Sequence, residues 1–151
     1  YKKALGEYEN IEIVQVADSQ SDPTVAAQAA SSMLQRYPDL AGIACVEAAG
    51  GSGAATAVRE FGKVGKVKII GMDRGAQILN AIENGVISAT LVQKTALMPY
   101  YAVEILHNIA NNNVPMITTN NSEAGISGVP EYIDTGIVIV DESNYEYFIR
   151  E

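Results

Sequence analysis

Residues 67–93 read VKIIGMDRGAQILNAIENGVISATLVQ, and this run decides the fold class. Val67 to Met72 is a short, mostly apolar segment bounded by turn residues, as a strand should be. Gln77 to Asn84 is long enough for two helical turns, and Gly85 follows where a helix closes on a left-handed residue. Ile87 to Val92 is a second apolar segment of strand length. Two strands joined by one short helix run parallel, and their connection packs back on the sheet.

Working outward, the same alternation continues in both directions. Upstream, Ile11 to Val16 is short, β-branched and partly alternating, which predicts a strand with one wet face. Asp22-Pro23 supplies an N-cap and a proline at the first helical position, where the missing N–H has no cost. Ala26, Ala29, Ala30, Met33, Leu34 and Tyr37 follow at helical spacing until Pro38. Ile43 to Val46 is apolar on both faces and predicts a strand covered from both sides. Ser52 is read as the cap of a helix with Ala54, Ala57, Val58 and Phe61 inside, ending near Gly62. Downstream, Met98, Tyr101, Ala102, Ile105 and Ile109 mark a longer helix that ends in Asn111-Asn112-Asn113. A polar loop from Thr118 to Gly128 leads to a last strand, Ile137 to Val140, and a last turn or two from Tyr145 to Ile149. The expectation is an α/β fold: an open parallel sheet with helices on both faces.

Composition narrows the function. The chain has 151 residues, 48% hydrophobic and 19% charged, with a formal net charge of -8. That length suits one domain able to bury roughly 70% of its unfolded surface. The charge repels a nucleic-acid backbone, and no stripe of Lys and Arg offsets it. No apolar run approaches the ~20 residues of a membrane span. A single cysteine, Cys45, excludes an internal disulfide and a cysteine-based zinc site. Mid-strand among apolar neighbours, it is expected to be buried and inert. His107, the one histidine, falls off the apolar stripe of its helix and reads as a surface residue. No nucleophile–base set can be built around it, so no catalytic residue is assigned. The carboxylates lack calcium-ligand spacing, so neither a metal nor a cofactor is expected.

In an open parallel sheet, ligands bind beyond the carboxyl ends of the strands. Those ends carry Asp18-Ser19, Glu47, Asp73-Arg74 and Gln93-Lys94. Carboxylate, guanidinium and amide groups on one rim offer the donors and acceptors that a polyhydroxylated ligand needs. Asp18 and Asp22 are read as caps of the next helix, whereas Asp73 and Gln93 directly follow apolar strands and are read as ligand contacts. Gly50-Gly51-Ser52-Gly53 lies between a strand and a helix, where N–H groups can cradle an anion. It lacks a P-loop lysine and dinucleotide-fingerprint spacing, and Glu47 upstream repels phosphate. Close approach of helix to sheet, with the cap at Ser52, is the expectation there.

Gly71-Met72-Asp73, followed by Ile82-Glu83-Asn84-Gly85-Val86-Ile87-Ser88-Ala89-Thr90-Leu91-Val92-Gln93, resembles the type I periplasmic sugar-binding proteins of ABC transporters, the ribose-binding group in particular. The helix from Leu97, the Asp134-Thr135-Gly136 turn and the strand leading to Asn144 are similar to the C-terminal part of that family. The resemblance implies that Asp73 and Gln93 hydrogen-bond sugar hydroxyls, with Glu47 and Ser19 nearby. Glu47 stands where the ribose-binding group carries an asparagine, and a carboxylate accepts only, whereas an amide also donates.

The family has two α/β lobes closing on the ligand by hinge motion. By resemblance, residues 1–151 are the C-terminal lobe truncated at its N-terminal side, with a hinge crossover near 93–96 and a 97–113 helix that packs on the other lobe. The opening Tyr1-Lys2-Lys3, without an apolar leader, reads as a processed or truncated chain. The function implied is a non-enzymatic, extracytoplasmic solute-binding component that delivers a monosaccharide or small glycoside to a membrane permease or a membrane sensor. The rival reading is the effector-binding core of a LacI-like transcriptional regulator, which shares the fold. In the family another strand lies beside Ile11 to Val16. Without it, the chain is expected to associate with itself or with the missing lobe, or else Ile11 to Val16 slides over to pair with Ile43 to Val46.

Overall fold

The structure, a computed structural model, describes residues 2–111 and 113–149. Among the described residues there are five α-helices and four strands, alternating from α2 to α5. They are α1 (Lys2–Leu5), α2 (Pro23–Arg36), β1 (Gly42–Ala44), α3 (Ala48–Glu60), β2 (Lys68–Met72), α4 (Ala76–Glu83), β3 (Ala89–Gln93), α5 (Leu97–Asn111) and β4 (Ile137–Asp141). The strands form one sheet in the order β1-β2-β3-β4. The β1–β2 and β2–β3 pairs are parallel, with Ile43 opposite Ile69 and Gly71 opposite Thr90. The result is an α/β fold with a mostly parallel sheet flanked by helices, as one lobe of a periplasmic-binding-protein fold has.

The chain divides into two compact units. The first comprises residues 1–91 and 139–151, the second residues 92–138. In the first unit, Asp22 caps α2 by accepting from the backbone N–H groups of Thr24 and Val25. Those two bonds hold its carboxyl below the usual carboxylate range, that from Val25 having the larger effect. Ala26, Ala30 and Leu34 form the buried stripe of α2. It meets α3, whose buried residues are Gly51, Gly53, Ala54, Ala55, Ala57 and Val58. These residues are small because the two helices nearly touch: a Cβ on Gly53 would sit 2.5 Å from Ala26 Cβ and 2.6 Å from Pro23 O. A Cβ on Gly51 would sit 2.8 Å from Ile78 Cδ1 of α4. Val67, Ile69, Ile82, Ile87 and Val140 also belong to the buried core.

Three expectations need correction. Ile11 to Val16 is not a strand: it lies outside the sheet, and no bond joins it to Ile43 to Val46. Its β-branched pattern favours extended backbone, but a strand exists only where a neighbour completes its ladder, and Ile11, Ile13, Val14 and Val16 are exposed. The segment Ile43 to Val46 is not covered on both sides. Only Gly42–Ala44 is a strand, it forms the sheet's edge, and Val46 is 65% exposed. Finally, α3 begins five residues earlier than the Ser52 cap implied, at Ala48 with Glu47 as N-cap, so Gly50 to Gly53 lies within the helix.

The second unit contains α5 and the polar stretch that follows it. No residue of α5 is buried. The stretch is organised around Asn121, whose Oδ1 accepts from Met116 N at 2.9 Å and whose Nδ2 donates to Val114 O at 2.9 Å. Asn120 caps a short 3-10 turn, Asn121–Ala124, and Gly125 ends it with a left-handed φ of 66°.

Candidate functional site

The residues read as ligand contacts separate by environment. Ser19, Glu47 and Asp73 belong to the first unit and Gln93 to the second. Gln93 is the exposed last residue of β3, and its carbonyl accepts from Thr95 N at 2.9 Å.

Asp73 follows the last residue of β2 and is exposed. Its backbone is held from two sides: its N–H donates to Leu91 O at 2.9 Å, and Thr90 Oγ1 donates to its carbonyl at 2.8 Å. Thr90 is fully buried. With these restraints Asp73 takes a φ of 76°, a left-handed conformation uncommon for a residue with a side chain. Its Oδ1 accepts from Arg74 N at 2.6 Å. The sequence reading missed Thr90; the signal was a hydroxyl inside an apolar strand, which needs a polar partner.

Asp73 and Arg74 also line a cavity of about 430 Å³ with Leu79 and Glu83 of α4, Tyr145 and Phe148. Burial first, then the neighbouring Glu83, pushes the Tyr145 phenol up from its ordinary value. The C-terminal turn's part in this cavity has no signature in sequence spacing, because it depends on where β4 returns the chain.

Glu47 and Ser19 come together, but on each other. Ser19 Oγ donates to Glu47 Oε1 at 2.7 Å. The same oxygen accepts from Gly50 N at 2.6 Å, while Oε2 accepts from Ala49 N at 2.8 Å. Glu47 thus acts first as a helix cap, a role the sequence reading gave to Ser52; Ser52 Oγ instead donates back to Ala49 O. Cys45 lies beneath, 8% exposed. Burial, with the Glu47 charge adding to it, pushes its thiol up to about 11. His107 is exposed, as its place on the helix predicted. Among the described residues, no group of three or more His, Cys, Asp or Glu side chains is arranged to hold a metal ion. No helix among them is long and apolar enough to cross a membrane.

Comparison with known proteins identifies the class this fold and rim define. Residues 1–113 match the family model described as periplasmic binding protein domain, and the chain belongs to that family. It is 32% identical over 96 residues to the D-allose-binding periplasmic protein of Escherichia coli (strain K12), covering 64% of this chain and 30% of that one. Among solved structures it resembles a sugar-binding protein of a sugar ABC transporter from Bacillus halodurans. The TM-score is 0.87 at 35% identity, over 98% of this chain and 50% of that one. The arabinose-binding protein AraP from Geobacillus stearothermophilus gives 0.81 at 35% identity, over 95% of this chain and 48% of that one. The chain thus spans about half the length of these solved relatives. The family is one of non-catalytic, extracytoplasmic solute-binding proteins, and its sugar-binding members are those this chain resembles.

Proposed function

We propose that this chain is the C-terminal lobe of the sugar-binding component of an ABC transporter. In this reading it holds a monosaccharide or small glycoside by hydrogen bonds at the carboxyl ends of its strands and delivers it to a membrane permease or a membrane sensor. The observation that carries the reading is Asp73. A carboxylate at the end of a parallel strand, fixed in a strained conformation by a buried threonine, is prepared for a ligand that donates hydrogen bonds. Gln93, the last residue of the neighbouring strand, receives a sugar-contact role from the family resemblance. Residues 93–96 act as the crossover between lobes and α5 as a helix that packs on the companion lobe; the division of the chain after Leu91 and the exposure of α5 support this. Glu47 and Ser19 contribute acceptors at the same rim.

The test is an amide-resolved NMR titration of the chain with neutral monosaccharides, beginning with arabinose and D-allose, which the relatives' names specify. Saturable shifts at Asp73 and Arg74 are expected. Asp73→Ala should weaken binding by roughly 1.5–3 kcal/mol, the worth of a hydrogen bond to a charged acceptor. Undiminished affinity in that variant would move the site away from β2.

A further inference from the structure

We infer that Thr90 is a positioning residue for the solute site, acting through the peptide unit that joins Asp73 to Arg74, and that Gly71 keeps the space in which it works. The inference rests on the solute-site reading of Asp73 and adds the device that aims its carboxylate.

A hydroxyl inside an apolar strand must find a partner. Thr90 is fully buried, and its Oγ1 donates to the Asp73 carbonyl at 2.8 Å. That carbonyl and the Arg74 N–H belong to one planar peptide unit, so fixing the oxygen also fixes the direction of the N–H. The Arg74 N–H in turn donates to Asp73 Oδ1 at 2.6 Å. The preceding peptide unit is held as well, because Asp73 N donates to Leu91 O at 2.9 Å. Two consecutive residues of β3 therefore restrain both peptide units that flank the Asp73 Cα, and they hold its φ at 76°. The side chain is restrained last. With Oδ1 on the Arg74 N–H, the exposed carboxylate keeps one orientation and offers Oδ2 to a hydroxyl donor.

Gly71 completes the device. It lies opposite Thr90 in the β2–β3 register, and a Cβ there would sit 3.3 Å from Thr90 Oγ1 and 3.6 Å from Thr90 Cβ. A side chain at position 71 would thus crowd the hydroxyl that reaches for the Asp73 carbonyl. Packing alone would need only the shape of Thr90, which valine reproduces without the hydroxyl. Aiming the carboxylate needs the hydroxyl itself, and that difference separates the two roles.

The experiment compares the chain with its Thr90→Val, Thr90→Ser and Gly71→Ala variants by NMR, first without a solute and then with arabinose and D-allose. Without a solute, the readouts are the exchange rate of the Arg74 amide and the three-bond amide–Hα coupling of Asp73, which reports its φ. Thr90→Val should speed Arg74 exchange roughly threefold or more and change the Asp73 coupling. Thr90→Ser, which keeps the hydroxyl, should leave both close to the parent values. In the titration, Thr90→Val should weaken sugar binding roughly five- to tenfold, with Thr90→Ser again near the parent. Gly71→Ala should move every readout the same way by less. In an Asp73→Gly background, which takes the positive φ without strain, Thr90→Val should cost no further affinity. Parent-like Arg74 exchange and Asp73 coupling in Thr90→Val would overturn the inference, as would equal losses in Thr90→Val and Thr90→Ser. Should Thr90→Val not fold, unchanged exchange and coupling in Gly71→Ala overturn it in the same way. A parent chain that binds neither sugar would refute the sugar reading instead, while the solute-free measurements still decide whether Thr90 aims Asp73.

Discussion

Helices α3 and α5 make an instructive pair. Both carry apolar side chains at helical spacing, and α5 has the larger ones, including Met98, Tyr101, Ile105, Leu106 and Ile109. Yet α3 buries six residues and α5 none. The difference lies in neighbours. The small residues of α3 let α2, β2 and α4 close on it from several sides. Large apolar residues on α5 raise the reward for a partner but do not supply one. Hydrophobic periodicity therefore announces a face that can be buried, and packing decides whether it is.

Three measurements would sharpen or break this contrast. The largest effect belongs to α3. In Gly53→Val the new Cβ would meet Ala26 Cβ, Ala27 N and Pro23 O at 2.5–2.6 Å. Two of those atoms are backbone, so the helices must separate, and a loss of about 3 kcal/mol or more in denaturant stability is expected. Wild-type stability in that variant would mean α2 and α3 are not in contact.

Cys45 gives an intermediate effect on the same side of the molecule. With its thiol pushed up to about 11 from 9.0, the folded chain keeps a proton that the unfolded chain loses earlier. Between those values the unfolded state binds fewer protons, so stability falls as pH rises from about 9 to about 11. The loss should be on the order of 2 kcal/mol and should disappear in Cys45→Ala. Thiol reagents should label the native protein slowly and the denatured protein fast; rapid native labelling would put the cysteine at the surface.

The smallest effect is expected on α5. Leu106 is 65% exposed, and Leu106→Ala should change the stability of this chain by no more than about 0.5 kcal/mol. A loss of the size seen for buried leucines, about 2–5 kcal/mol, would show that α5 is covered in solution.

The element order from α2 to β4, the Asp22 cap with Pro23 behind it, the Gly85 terminator and the burial of Cys45 were legible in the sequence. Each depends on residues a few positions apart, on caps, φ preferences or the local period of apolar residues, and local signals survive without knowledge of the fold. The positions of Asp73 and Gln93 at strand ends were legible for the same reason. Only the tertiary structure decided that Ile11 to Val16 joins no ladder, since a ladder needs a second chain segment that no local pattern specifies. Only it decided that Glu47 caps α3. Local preference favours Ser52 over a glutamate, yet Glu47 takes the place, with Ser19 Oγ from 28 residues upstream donating to its Oε1, while Gly51 and Gly53, inside the helix, lie close against Ile78 of α4 and Ala26 of α2.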